Sequence, residues 1–431
     1  MRLWAKMIAR AGDLENISRS TVELCMPRSE GVATHMNQFD NVTCLAGEKI
    51  VGTRPFVPYD ELLCEFLNDL STELRSSGES SVYTDVMAFA FWCRKANITK
   101  HKRDFDNGET RLGLGVVFHI TPSNVPVNFA FSFAFGLLSG NANIVKVPSM
   151  SFPQIDILCA AIDKLFVLDK YKEIKAMNTF IRYEQNDEIT GAYSANCNAR
   201  IIWGGDVAIK NIRKLAVSER CVDIAFSDRY SLCVIDAPSV IKLDETELIR
   251  LSERFYNDTY LMDQNACSSP HLIVWQGVEK EVAKERFWTA VYNTVGEKYQ
   301  LAAVSAVDKY TMLCQNAIDL NNIRSFKKHG NYVYRIDLET VPDDIDTLHG
   351  KFGYFYEYNI DDINSITHII NTKYQTFTYF GVDKSELLNF VVKNRLSGID
   401  RIVPVGKARD MGVVWDGYDI VRSLSRIIDV K

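Results

Sequence analysis

The sequence predicts an α/β protein built on parallel sheet. From residue 114 onward, short apolar runs of strand length alternate with longer segments of helical period. That order lays parallel strands side by side with helices across their faces. The alternation pauses near residues 237–243 and then resumes, so two α/β regions are expected. The chain of 431 residues, 47% hydrophobic and 24% charged, is long enough to bury a large core without staples. These figures exclude a mainly disordered chain, a collagen-like repeat and a small disulfide scaffold.

Each element has its own warrant. The first forty residues carry no clear pattern. Residues 59–75 place Leu62, Leu63, Phe66, Leu67 and Leu70 at helical spacing, and 81–96 do the same with Val82, Val86, Phe89, Ala90 and Trp92. Strand-length runs follow at 114–120, 143–147, 199–203 and 230–236, separated by helical segments at 127–138, 154–166 and 207–215. The second region reads as helix 245–260, strand 272–275, helix 280–299, strands 332–336 and 354–358, helix 362–371, strand 377–380 and helix 384–394. A strand at 401–405 and a final helix over 415–428 complete the expectation.

Charge and targeting narrow the function classes. The net charge of −6 gives no global basic field, so nucleic acid is not an expected partner. Residues 1–10 lack the long apolar segment of a signal peptide, and the apolar stretch 129–138 is too short to span a bilayer. The ten cysteines are scattered without CxxC pairs or metal-ligand spacing. They read as reduced thiols of a cytoplasmic enzyme, with no metal site expected.

Four segments can carry chemistry. Thr121-Pro-Ser-Asn-Val-Pro126 sits between a strand and a helix, where ligands of open α/β sheets bind. Its prolines stiffen the turn, and Asn124 between them either aims its amide at an oxyanion or satisfies its own turn. In Asn143-Ile-Val-Lys-Val-Pro-Ser149, Lys146 ends a strand at the same edge; it either binds nucleotide ribose and phosphate or is simply exposed. Trp203-Gly204-Gly205-Asp206 joins a strand to a helix, as a ligand-approach turn or an ordinary tight turn capped by Asp206. The full GxGxxG fingerprint is absent. In Asp263-Gln-Asn-Ala-Cys267-Ser-Ser-Pro270, small and polar neighbours leave room beside the thiol, so Cys267 is either a nucleophile or a structural cysteine.

Taken in this order the four segments resemble the aldehyde dehydrogenase superfamily. More closely, the chain resembles the acyl-CoA reductases of the bacterial luminescence fatty-acid reductase family. The matching text also includes Leu137-Leu-Ser-Gly-Asn-Ala-Asn143, Gln375-Thr376, Gly398-Ile-Asp-Arg-Ile-Val-Pro-Val-Gly406, Trp415-Asp-Gly-Tyr418 and Leu424-Ser-Arg426. It spans roughly residues 110–430, whereas the first hundred residues match loosely.

The resemblance implies an aldehyde-dehydrogenase-like fold. It divides the chain into N-terminal helices with an NAD(P)-binding domain over 1–240, a catalytic domain over 241–405, and a tail over 406–431 that returns to the cofactor domain or to an oligomer interface. Cys267 would be the nucleophile, and Asn124 with the Cys267 backbone N–H the oxyanion hole. Thr121, Pro122, Ser123, Lys146, Trp203, Gly204 and Gly205 would line the cofactor. NAD-preferring relatives often carry a Glu three residues after the strand-end Lys; here that position is Ser149, which implies NADPH, with NADH possible. The implied reaction is NADPH-dependent reduction of an acyl thioester to an aldehyde through an acyl-cysteine. The donor would be acyl-CoA or an acylated partner such as an acyl-protein synthetase, and a homo-oligomer is expected. A CoA-acylating aldehyde dehydrogenase running oxidatively, or a silent scaffold for an acyl-protein synthetase, are the alternatives.

Two departures from the wider superfamily bear on mechanism. The Glu that activates water in oxidative members aligns with Ala225, so water should attack the thioester poorly. The Glu of the Glu-x-Phe-Gly pattern that holds the nicotinamide ribose aligns with Gly350.

Overall fold

The structure, a computed structural model, describes residues 39–48, 51, 52, 54–123 and 125–431. They fall into two compact units. One holds the described residues up to Trp203 with Val207–Ala225 and Val421–Lys431; the other holds Gly204–Asp206 and Phe226–Ile420. The first unit contains strands β1 (Thr43–Gly47), β2 (Arg111–Gly113), β3 (Val116–Ile120), β4 (Ala142–Lys146), β5 (Asn178–Arg182), β6 (Ala199–Trp203) and all but the last residue of β7 (Val222–Phe226). All but β2 form one sheet, in the order β1-β5-β4-β3-β6-β7. Strands β5, β4, β3 and β6 run parallel, and β1 closes one edge antiparallel.

β3 and β6 are buried at every position, as expected of central strands covered on both faces. The helix Asn128–Leu138 lies in the core, with Phe129, Phe133 and Phe135 fully buried. The expected helix over 81–96 divides into Thr84–Trp92 and Lys95–Phe105. Arg94 is extended between them, and Asn68 Oδ1 accepts the Lys95 N–H at 3.0 Å, which starts a new helix there.

The second unit contains β8 (Tyr230–Asp236), β9 (Pro270–Gln276), β10 (Ile323–His329), β11 (Val333–Leu338), β12 (Tyr354–Asn359), β13 (Tyr374–Phe380) and β14 (Arg401–Pro404). Their order is β10-β11-β12-β9-β8-β13-β14, parallel throughout except for the β10–β11 pair. Strand 230–236 therefore belongs to this sheet and not to the first α/β region, where its position in sequence had placed it. Fully buried apolar residues cover both faces. Leu232, Val234, Leu272 and Val274 pack on one side, and Ile235, Ile273, Trp275 and Trp288 on the other. The final helix expected over 415–428 does not form. Asp416 and Gly417 take positive φ and fold a hairpin between β15 (Val414–Trp415) and β16 (Tyr418–Asp419). A single helical turn, Ile420–Ser423, then leads to β17 (Ser425–Ile427), which pairs with β2. No described helix is long and apolar enough to cross a membrane.

Candidate active site

Cys267 lies in the loop that enters β9, and the conformation of that loop is unusual. Asp263 and Gln264 both adopt left-handed backbone, at φ 53° and 63°. Such strain costs of order 1–3 kcal/mol per residue and persists only where the surroundings enforce it. Here the enforcing group is Gln264, which is fully buried. Its Nε2 donates to the carbonyls of Pro270 (3.1 Å) and Tyr354 (3.0 Å), and its Oε1 accepts from the Gly353 and Tyr354 N–H groups at 3.1 Å each. One side chain thus ties the cysteine loop to the start of β12.

A second support reaches Cys267 from the sheet. The register of β13 against β8 shifts between Tyr374 and Phe377, and that of β8 against β9 shifts beside Ser231. The Ser231 hydroxyl occupies the irregularity. It accepts the Thr376 N–H at 3.1 Å and donates to the Cys267 carbonyl at 2.6 Å. Thr376 Oγ1 donates to Gln375 Oε1 (3.1 Å), and Gln375 Nε2 donates to the buried Asp416 carboxylate. Bulges next to functional loops commonly re-aim the chain in this way. Gln375-Thr376 and the Asp416 turn, which the sequence offered only as matching text, are therefore joined in one hydrogen-bonded chain beneath Cys267. Ser231 carries no local signal in the sequence; its role arises from the register shift.

The thiol faces a cleft of about 240 Å³ at the amino ends of β8, β9 and β12. Asp228 and Arg229 line it from one turn, Gln264–Cys267 from another, His271 from β9, and His349–Lys351 from a third. Burial pushes the Cys267 thiol up to about 11, and a backbone hydrogen bond from Arg229 works in the opposite direction. Burial likewise holds His271 neutral, at about 3, and its ring stacks on Tyr230 at 5.3 Å. Asp416, buried close by, is raised to about 6. Since the thiolate is the nucleophile, Cys267 is protonated at neutral pH in this resting arrangement. The rate of its alkylation by iodoacetamide is therefore expected to climb about tenfold per pH unit from pH 7 to 9.5. Peptide-resolved mass spectrometry reads this directly, and a plateau below pH 8.5 would contradict the buried thiol.

Gly350, which the resemblance aligns with a ribose-binding Glu, sits where a side chain has no room. A Cβ there would lie 1.8 Å from the Tyr354 carbonyl oxygen and 3.3 Å from Gln264 Nε2. The turn that Gln264 clamps has no room for any side chain. Ala225 on β7 packs against the apolar cluster that contains Phe118, Ile202 and Ile209, where a carboxylate would be stripped of water.

In the first unit Thr121, Pro122, Ser123, Lys146, Ser149 and Trp203 lie at or just past the carboxyl ends of β3, β4 and β6. Thr121 Oγ1 donates to the Lys146 carbonyl at 2.6 Å, which pins the ends of β3 and β4 together. Lys146 is half-buried with Nζ 4.9 Å above the Tyr183 ring, and burial lowers its pKa. Pro122 and Ser149 are half-buried and Ser123 is exposed. Asn124 lies outside the described residues. Trp203 is nearly buried, and its indole N–H donates to Ser132 Oγ at 3.0 Å. Behind this edge runs a polar chain that the sequence did not announce. Ser132 Oγ meets His119 Nδ1 at 2.8 Å, His119 Nε2 meets Asn143 Oδ1 at 2.9 Å, and Asn143 Nδ2 donates to Asn178 Oδ1 at 2.7 Å. Because Asn143 spends its amide N–H groups on Asn178 and on the Asn141 carbonyl, its Oδ1 accepts, so His119 carries its proton on Nε2. Burial keeps that ring neutral, at about 4. The chain thus runs from Trp203 at the carboxyl end of β6, through His119 on β3, to Asn143 and Asn178 near the amino ends of β4 and β5. Gly204 and Gly205 follow β6 in the chain; Gly205 is exposed, and a Cβ there would meet nothing within 4 Å.

This fold is that of the aldehyde dehydrogenases. The structure is similar to glyceraldehyde-3-phosphate dehydrogenase GapN from Methanocaldococcus jannaschii, solved with NADP, at a TM-score of 0.60 and 14% identity over 85% of this chain and 88% of that one. Lactaldehyde dehydrogenase from Escherichia coli gives 0.59 and 12% over 85% of each chain. A 1-pyrroline-5-carboxylate dehydrogenase mutant from Thermus thermophilus gives 0.58 and 13% over 96% and 99%. Residues 95–305, Cys267 among them, match the model of the acyl-CoA reductase (LuxC) family. No curated protein matches the sequence.

Proposed function

We propose that the protein reduces an acyl thioester to an aldehyde through an acyl group carried on Cys267, with NADPH as the preferred reductant. The observation that carries this reading is Cys267 itself. It is a thiol at a cleft, on a strained loop held by Gln264 and Ser231, inside the stretch that matches the acyl-CoA reductase family. Cys267 Sγ, once deprotonated, attacks the thioester carbonyl. The C–S bond to the donor thiol breaks, and that thiolate leaves with the electron pair. Splitting the displacement this way replaces one difficult step by two easier ones. A reduced nicotinamide, when bound, supplies the hydride. Asn124 and the Cys267 N–H would hold the oxyanion while the thiohemiacetal collapses to aldehyde and free thiolate. No carboxylate stands at Ala225 to direct water at the acyl group, which favours reduction over hydrolysis.

The carboxyl ends of β3 and β4, with Thr121, Pro122, Ser123, Lys146 and Ser149, have the residue chemistry to hold an adenosine ribose and its phosphate, and Trp203, Gly204 and Gly205 follow the neighbouring strand. A carboxylate at position 149 would repel a 2′-phosphate, whereas a hydroxyl donates to it. Catalytic efficiency with NADPH is therefore expected to exceed that with NADH by about tenfold or more, a difference of about 1.4 kcal/mol. Ser149→Glu should erode the preference by weakening NADPH, and Lys146→Ala should weaken NADPH more than NADH. Rates with acyl-CoA followed at the nicotinamide absorbance test both the reaction and the preference. Equal efficiency with the two cofactors would remove the cofactor assignment and leave the reaction standing.

A further inference from the structure

Two thiols meet in the first unit, at the end of β6 opposite to Trp203. Cys197 stands just before β6 and Cys221 just before its neighbour β7. The backbone holds both in place. The Val222 N–H donates to the Asn198 carbonyl at 3.1 Å, so Cys197 and Cys221, one residue earlier on each segment, start from adjacent positions. Asn198 is itself fixed to β3: its N–H donates to the Val116 carbonyl and its Oδ1 accepts the Val116 N–H, each at 2.8 Å. The turn before β7 closes with the Cys221 N–H on the Ser218 carbonyl at 3.0 Å, and the Ser218 hydroxyl donates to the Cys197 carbonyl at 3.4 Å. The two sulfurs end 3.8 Å apart. A disulfide requires about 2 Å, so each sulfur has about 0.9 Å to travel, within reach of side-chain rotation alone.

The two thiols are unequal in a way that divides the work between them. Cys197 is buried in the apolar cluster around Phe118 and Ile202, and its S–H lies 3.3 Å from the Ser194 carbonyl. Cys221 is half-buried and follows the exposed Glu219 and Arg220, so a small solute reaches its sulfur from solvent. A hydrogen bond from Cys197 lowers the Cys221 pKa, with Arg200 acting in the same direction and burial and Asp223 against it. Cys221 is therefore the thiol that reacts first, because the thiolate is the nucleophile. Cys197 is shielded from solvent and already placed beside it. A sulfenic acid formed on one thiol condenses with a second thiol held in contact, and such placement replaces an encounter in solution by an intramolecular step.

We propose that Cys197 and Cys221 form a dithiol modification site that a hydroperoxide converts to a disulfide. The Cys221 sulfur attacks one peroxide oxygen; an S–O bond forms, the O–O bond breaks, and the leaving alkoxide or hydroxide takes the Cys221 proton. Cys197 Sγ then attacks the Cys221 sulfur. The S–S bond forms, the S–O bond breaks, and the hydroxide departs as water with the Cys197 proton. Two thiols lose two electrons, and the hydroperoxide is reduced to an alcohol and water. The site is independent of the acyl-thioester reading. The test treats the reduced full chain with hydrogen peroxide in the presence of a chelator, alkylates the remaining thiols after denaturation, and maps the peptides without reduction. The peptides of Cys197 and Cys221 are expected to appear joined, two hydrogens lighter than their sum, and to separate on adding dithiothreitol. Joining should run at least about tenfold faster in the folded protein than in urea. Cys197→Ser should halt at a Cys221 sulfenic acid that dimedone captures, and Cys221→Ser should slow oxidation of Cys197 at least about tenfold. Three results overturn the proposal: Cys221 oxidised in the unaltered protein while Cys197 stays a free thiol, both thiols intact while the exposed Cys314 is oxidised, or joining no faster in the folded protein than in urea.

Discussion

Cys267→Ala is expected to abolish both acyl transfer to the protein and aldehyde formation, a loss of at least about 10⁴-fold. The size follows from the absence of a comparable loop at the other described cysteines; Cys44 lies on β1 and the exposed Cys314 on the helix Ala303–Asp319. Cys93, Cys159, Cys197 and Cys233 are buried, and burial raises the thiols of Cys159 and Cys233 to about 12. Cys64, on the first unit's helix Glu61–Ser76, is raised to about 11 and has no comparable loop. Cys221 is the instructive control. It is half-exposed, its Sγ lies 3.8 Å from that of Cys197, and the shared proton lowers its pKa. General alkylating agents should therefore mark Cys221 readily, whereas an acyl thioester should not, because nothing around Cys221 positions a carbonyl. The Cys221→Ser and Cys233→Ser enzymes should keep full acyl labelling. Peptide mapping after acyl-CoA treatment separates the sites; acyl group retained by Cys267→Ala in the active time range would remove the nucleophile assignment.

Much of this fold was legible because its strands are short, apolar and bounded by turns. Residues 199–203 and 230–236 are found where the apolar runs place them. The sheet to which each belongs was not legible. Both runs are equally apolar, and membership is decided by pairing with strands 40 to 140 residues away, as with β8 against β9 and β13. The helix Ala303–Asp319 was missed because it is mostly exposed and its two buried residues, Lys309 and Asn316, are polar, so no set of buried apolar positions announces it. The final segment misled for a different reason. Apolar residues at helical spacing after Trp415 outweighed Asp416-Gly417, a pair whose positive φ sets a hairpin. The site divides in the same manner. Cys267, Lys146 and Ser149 stand in stretches whose order could be read. Ser231, Gln264 and His119 are ordinary polar residues, and their importance comes from partners such as Thr376, Tyr354 and Ser132 that only the folded chain supplies.

Gln264→Ala is expected to have the second-largest effect, and for a reason distinct from chemistry at the thiol. The side chain satisfies four buried backbone groups: the N–H groups of Gly353 and Tyr354 and the carbonyls of Pro270 and Tyr354. Truncation strands them, and each buried group left unpaired costs about 1–3 kcal/mol. The carbonyl of Tyr354 keeps no comparable substitute, because Gly350 approaches it too closely for another side chain to enter. Water admitted to the space would recover part of this, so the expected net loss is about 3–5 kcal/mol. The left-handed conformation at Asp263 and Gln264 would lose its main restraint, and the Cys267 loop would sample other positions. Misplacement of about 1 Å at a reacting atom costs on the order of 10²-fold in rate. Acylation by a short acyl thioester should fall by at least that factor, while iodoacetamide, which needs only access, should react with Cys267 faster than in the unaltered protein. Gln264→Glu gives the finer comparison: it keeps the acceptor for the Gly353 and Tyr354 N–H groups but turns an oxygen toward the two carbonyls, so it should lie between the two in stability. Thermal unfolding with both probes on one preparation checks the set. Unchanged acylation in folded Gln264→Ala would show that the loop holds its shape without the clamp.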